Sequence, residues 1–215
     1  MAARRENTCD RVLVVEGFDD LLFYAEVLEK LGNYDDKVFI KEMGGKGNLT
    51  GAARPDDLVL KLETFLSPRL LAEKRVIGVI ADADENGAGT ARSLEQRLAK
   101  ITAQDVKAGA WTAGPPRIGL FVVPGGDRAG EIASLVWEAW SNDPVNAATR
   151  ACVDGFLGCM KAAGHEAHSP DKGRLGALLA VRNDEDPRLG PGARAHVFDF
   201  ERPELAPLVA FLHAF

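Results

Sequence analysis

Three carboxylates stand where a parallel sheet carries its chemistry: Glu16, Asp82 and Asp84. Glu16 closes the apolar run Arg11-Val-Leu-Val-Val15, and Asp82-Ala83-Asp84 closes Arg75-Val-Ile-Gly-Val-Ile-Ala81. In an extended chain residues i and i+2 project to the same side, so the two aspartates present their carboxylates together. Unpaired carboxylates gathered in one crevice repel each other, and a cation must offset that repulsion. Hard oxygen donors select Mg²⁺, Mn²⁺ or Ca²⁺ over zinc. The competing reading is structural, since an isolated D-x-D is commonly a solvated turn or the cap of the next helix. The metal reading gains from the position of both segments, each after a strongly apolar strand and in the order expected along one sheet edge.

The elements that must hold these residues follow from periodicity. Arg11–Val15, Lys37–Lys41, Arg75–Ala81 and Ile118–Val123 read as four buried strands, rich in β-branched residues. Between them lie amphipathic segments: Asp19–Leu31, stopped by Gly32, a helix opened by Pro55, Gly89–Ile101, and about Arg128–Trp140. Strands alternating with helices predict βαβ units, hence an α/β fold with a mostly parallel four-stranded sheet and helices on both faces. Ligands of such sheets bind beyond the carboxyl ends of the strands, and the fourth strand also runs toward an acid, through Pro124-Gly-Gly-Asp127. After about residue 142 helical segments dominate: Val145–Gly164, Lys172–Val181 and Glu204–Phe215. Asn183–Ala193 reads as a loop and His196–Asp199 as one last short strand. The expectation is one domain over residues 1–215, with a core at about 11–142 and a helical C-terminal cap at about 143–215.

Composition narrows the function classes. A formal net charge of −6 argues against a protein that coats nucleic acid through a basic surface. It leaves room for an enzyme that reaches phosphates through bound metal, because the ion supplies the positive charge locally. The charged start, Met1–Asp10, shows no secretory signal, and no apolar run approaches the roughly 20 residues of a membrane span. Cys9, Cys152 and Cys159 lack metal-ligand pairing. Cys152 and Cys159 fall on one side of a helical stretch, which predicts buried free thiols and a reducing, cytoplasmic setting.

The motif Val14-Val15-Glu16-Gly17-Phe18-Asp19-Asp20, followed by Ile80-Ala81-Asp82-Ala83-Asp84, resembles the two motifs of the Toprim (topoisomerase-primase) domain. The resemblance covers roughly residues 11–125. That family places a Glu after its first strand and a D-x-D after its third, and uses them with Mg²⁺ for phosphodiester chemistry. Its members include topoisomerases, primases, OLD-type nucleases and small RNA-maturing nucleases. The resemblance implies that Glu16, Asp82 and Asp84 are catalytic metal ligands, and that the sheet is Toprim-like. The whole chain is also similar to small Toprim-like bacterial proteins, which share the V-E-G-x-D-D start, the D-A-D-E-N segment, a V-x-P stretch and a late Lys. Here the V-x-P stretch runs Val122-Val-Pro-Gly-Gly-Asp-Arg-Ala-Gly130-Glu131, which implies Glu131 as a further metal ligand. Lys172 stands where OLD-type nucleases place a catalytic lysine. Those nucleases carry an attached ATPase domain, so a separate protein partner is one expectation; the homo-oligomeric state is not legible.

Other residues have two readings each. Asp19 and Asp20 either help hold a second metal or simply complement the helix dipole. Gly17, with Gly45 and Lys46 of the turn Gly44-Gly45-Lys46-Gly47-Asn48, lines the crevice for a substrate phosphate, or the turn is a plain tight turn without Walker spacing. Glu16 binds a second metal or serves as general base. Lys172 neutralises charge on a phosphoryl oxygen or sits on the surface. Glu85 flips away from the D-x-D to the surface. His165 and His168 lack a Cys partner, which argues against zinc. Trp111, Trp137 and Trp140 read as packing residues. Tyr24 and Tyr34, both beside the first helix, offer no topoisomerase-like nucleophile. The leading expectation is a Mg²⁺- or Mn²⁺-dependent nuclease. Its rivals are a metal- or nucleotide-binding regulatory module without turnover, and phosphotransfer or hydrolysis on a small nucleotide.

Overall fold

The apolar runs do become strands, and their order creates the crevice. The structure, a computed structural model, describes residues 8–45 and 62–215. β1 (Arg11–Val15), β2 (Val38–Glu42), β3 (Val76–Asp82), β4 (Ala110–Trp111) and β5 (Arg117–Val123) form one five-stranded sheet in the order β2-β1-β3-β5-β4. β2, β1, β3 and β5 are parallel, and only β4 runs antiparallel, against β5. The chain moves outward from β1 to β2, then returns to place β3 on the other side of β1. The order reverses between β1 and β3, and crevices open at such a reversal. Glu16 follows β1 and Asp82 ends β3, so both acids flank it.

Alternation along each strand sends side chains into two separate apolar layers. Leu13, Val15, Ile80, Phe121 and Val123 face one layer, together with Phe23, Trp137, Leu178 and Phe211. This layer holds α1 (Phe18–Lys30) and most of the C-terminal half: α5 (Ile132–Ser141), α7 (Pro170–Arg182), α8 (Leu189–Arg194) and α9 (Ala206–His213). Val12, Val14, Ile77, Val79 and Leu120 face the other layer, with α2 (Leu62–Phe65), α3 (Pro68–Glu73) and α4 (Gly87–Thr102). Each fully buried side chain of this size contributes roughly 1.5–3 kcal/mol, so the two layers fix strand register firmly.

Two glycines in adjacent strands shape one face of the sheet. Gly78 and Gly119 are register partners on β3 and β5. A Cβ on Gly119 would meet the Trp111 ring at 2.5 Å, and one on Gly78 would meet Leu13 at 2.9 Å. The indole lies on this flattened patch and stacks on Phe211, with ring centroids 4.6 Å apart. Its Nε1 donates to the Phe211 carbonyl at 3.2 Å, tying α9 to the sheet. Trp137 and Trp140 stack on each other in the buried layer, so the tryptophans are packing residues.

Several expectations need correction. β4 is a fifth strand that four apolar runs did not foresee. Asn183–Ala193 is not all loop: Leu189–Arg194 is helical, because Gly190 and Gly192 let α8 press onto Leu22 and Leu179. His196–Asp199 forms no strand. The helix expected from Arg128 begins at Ile132, since Gly125, Gly126 and Gly130 hold positive φ before it. The expected start of the helix at Pro55 lies outside the described residues. Cys152 and Cys159 share α6 (Ala147–Ala162) as expected, but both are exposed, because Val153 is the buried residue of that helix. No helix among the described residues is long and apolar enough to cross a membrane.

Candidate metal centre

Three loops at the carboxyl edge of the sheet deliver the acidic groups. Ligand-capable oxygens of Asp82, Asp84 and Glu131 lie within 4.8 Å of one another. Asp82 is the last residue of β3, and its Oδ1 accepts the backbone N–H of Ile132 at 2.9 Å. Asp84 is not extended: it sits at φ 51, a left-handed conformation that Asp tolerates better than most residues. What holds it there is a backbone clasp. Asp84 N–H donates to the Gly130 carbonyl at 2.8 Å, and Gly130 N–H donates back to the Asp84 carbonyl at 2.7 Å. The clasp brings the D-x-D loop against the loop that carries Glu131. Gly87 permits the approach, because a Cβ there would sit 2.3 Å from the Arg128 carbonyl.

Glu131 occupies the N-cap position of α5. The Lys172 ammonium lies 2.5 Å from its Oε2, and the Ser169 hydroxyl bonds its Oε1. Ser169 is the N-cap of α7 and Pro170 its first residue, so the helix start presents Lys172 to the crevice. A cleft of about 1080 Å³ lies here, lined by Asp84, Glu85, Glu131, His168, Ser169 and Lys172.

Glu16 and Asp20 stand beside this group rather than within it. Glu16 Oε1 accepts the Asp82 N–H at 2.8 Å, across the gap between β1 and β3. Asp20 Oδ2 accepts the Gly17 N–H at 2.9 Å and caps its own helix. Both therefore brace backbone at the crevice. Among the described residues, only Asp82, Asp84 and Glu131 form an acidic group close enough to share an ion. Gly17 and Gly45 line a second cavity, of about 510 Å³, with Glu16, Asp20, Asp82 and Lys172. Gly45 reaches it by donating its N–H to the Glu16 carbonyl at 2.9 Å, with φ at +126. Lys46 lies outside the described residues. Asp127 lines a different pocket, with Arg92 and Gly126, and takes no part. Glu85 is exposed, as expected.

The electrostatics record the crowding. Burial, then Glu16 and Asp20, push the Asp82 carboxyl well above its ordinary 3.8; the Ile132 N–H opposes the shift and Glu131 adds to it. Burial also raises Asp20, against the Gly17 N–H and Lys172, which favour its charge. Lys172 is raised as well: burial works against its ammonium, but Glu131, Asp82 and Asp20 outweigh burial. Tyr24 is buried beneath the crevice, where burial and the charges of Asp20, Asp82 and Glu16 hold it well above 10.0. A phenol so placed is a poor nucleophile.

This donor set fits a hard divalent cation: it is all oxygen, drawn from three carboxylates, and one of them resists ionisation without added positive charge. Sequence reasoning missed Ser169, whose only signal is the Ser-Pro pair that opens a helix. It also missed the Ile132 N–H and Arg188, which lines the second cavity. Neither had a signal, because tertiary packing alone brings them there.

A family model described as "Protein of unknown function (DUF3226)" matches residues 10–215. The match spans most of the chain, which therefore belongs to that family. No curated protein and no solved structure matches the chain.

Proposed function

We propose that this member of the DUF3226 family is a Mg²⁺- or Mn²⁺-dependent phosphodiesterase of Toprim type that cleaves nucleic acid. One observation carries the reading. Asp82, Asp84 and Glu131 converge within 4.8 Å where the carboxyl ends of β3 and β5 meet, with the Lys172 ammonium 2.5 Å from Glu131. Carboxylates alone hold a cation; carboxylates with a lysine also suit the developing charge of a phosphoryl group. A Glu after the first strand and a D-x-D after the third parallel strand also agree with the Toprim resemblance.

Each residue then has a task. Asp82, Asp84 and Glu131 would hold the ion, which supplies Lewis-acid charge to a phosphoryl oxygen when bound. Lys172 is placed to stabilise negative charge that develops as the phosphorus–oxygen bond breaks. Glu16 fixes the Asp82 backbone and thereby the direction of its carboxylate. Asp20 anchors the first turn of α1, on the wall of the cavity where substrate is held.

The net charge of −6 favours a second reading, in which the site binds metal or nucleotide without turnover. Incubating the protein with Mg²⁺ or Mn²⁺ and a panel of nucleic acids and nucleotides separates the possibilities. Polymer cleavage supports the phosphodiesterase, turnover of free nucleotides points to a small-molecule hydrolase, and binding alone points to a regulatory module. Changing Asp82 and Asp84 together to Asn should abolish metal-dependent cleavage. A double variant that cleaves like the parent sinks the reading.

A further inference from the structure

Phe18 presents an apolar ring beside the acidic crevice. It is 55% exposed, two residues after Glu16, and lines the 510 Å³ cavity that also contains Asp82 and Lys172. The Arg188 guanidinium stands 5.8 Å from the ring centroid. Arg188 is itself fixed: its Nε and Nη2 donate to the two carboxylate oxygens of Asp186 at 2.7 and 2.6 Å, and Nη1 lies 3.7 Å from Asp19. Leu175, Leu179 and Leu189 add apolar lining to the same cavity. The cavity falls within the 300–1,000 Å³ typical of small-ligand sites.

From this arrangement we infer that Phe18 and Arg188 form a stacking platform for one nucleobase, next to the phosphate site. The inference rests on the phosphodiesterase reading and narrows its substrate to an unpaired nucleotide: a single strand, a frayed end or a free nucleotide. The acids and Lys172 set where the phosphate goes, and the apolar lining takes the sugar and base. A base inside a duplex has both faces covered by its neighbours, so it cannot use the ring. The pinned guanidinium keeps the ring oriented through a cation–π contact and offers a planar surface of its own.

The test uses short oligonucleotides carrying 2-aminopurine, whose fluorescence falls on stacking, with Ca²⁺ in place of Mg²⁺. The full-length protein should quench a single-stranded trinucleotide, and Phe18→Ala should lose the quenching and bind about tenfold more weakly. Phe18→Trp should keep both, and Arg188→Gln should show partial loss. A blunt duplex with the probe at its centre should give no quenching. Equal quenching by Phe18→Ala, equal binding of the duplex, or no binding of the trinucleotide overturns the platform. If 2-aminopurine riboside monophosphate binds as tightly as the trinucleotide, the ligand is a free nucleotide; weaker binding identifies a strand. Polymer cleavage and Mn²⁺ titration of the same samples judge the metal-site reading separately, so a failed platform and a failed phosphodiesterase are distinguishable. Phe18 is exposed, and circular dichroism of Phe18→Ala checks that the variant is folded.

Discussion

The carboxylate of Glu16 accepts the backbone N–H of Asp82 at 2.8 Å, joining the ends of β1 and β3 across the crevice. An acid that resembles a metal ligand in sequence thus acts first on the main chain. Glu16→Gln keeps an oxygen for that N–H and should leave thermal stability nearly unchanged. Glu16→Ala leaves the N–H unpaired and should cost about 1–3 kcal/mol in denaturant unfolding. Equal stability of the two variants would falsify the bracing role.

The raised Asp82 carboxyl makes metal-free stability depend on pH with a definite sign. Its native pKa lies above the ordinary 3.8, so between those values the native state binds more protons than the unfolded one. Stability from this group is fully present below 3.8 and is lost as pH rises through the native value. With chelator present, the thermal midpoint of the parent should therefore drop more than that of Asp82→Asn across this window. Protons and metal compete for the same carboxylate, so the apparent Mn²⁺ affinity should rise over the same window. A metal affinity flat in pH contradicts the assignment of Asp82 as a ligand.

How far could these features be read from residues alone? Arg11–Val15 and Val76–Asp82 were legible because buried parallel strands are uninterrupted apolar runs, and their ends announce Glu16 and Asp82. Asp84 was legible as a ligand candidate, but not for the reason given: its left-handed backbone, not an extended one, carries it to the site. β4 was illegible, because a two-residue strand has no periodicity and exists through the seat that Gly78 and Gly119 make for Trp111. α8 reads as a loop because Leu-Gly-Pro-Gly-Ala-Arg has poor helix propensity, yet Gly190 and Gly192 are what close packing on α1 and α7 requires. Cys152 and Cys159 were given the right helix face and the wrong burial, since period does not say which face the core covers.

In the proposed site Lys172, paired with Glu131, would compete with an incoming cation for that carboxylate. Removing its charge in Lys172→Met should tighten Mn²⁺ binding in calorimetric titration while cutting turnover about 10²–10³-fold. Metal-free stability should change by less than about 1 kcal/mol, because the Lys172 side chain is 63% exposed and its ion pair is screened. Tighter metal binding with undiminished cleavage removes Lys172 from the chemistry and leaves it as a placeholder.

The glycine seat can be probed without touching the acids. Gly119→Ala places a methyl 2.5 Å from the Trp111 ring and must displace it. A loss of about 1–3 kcal/mol and a red shift of tryptophan emission are expected. Unchanged emission and stability would mean that the indole sits elsewhere in solution.

The paired backbone bonds between Asp84 and Gly130 bear on timing. Two segments far apart in sequence are already locked together before any ion arrives, so folding has spent the disorder of gathering the ligands. A cation bound there, as proposed, would have little chain to organise and mainly a charge imbalance to relieve. If the site takes a metal, a backbone frame set in advance would favour ions whose radius suits it, leaving the side chains to make the finer adjustment.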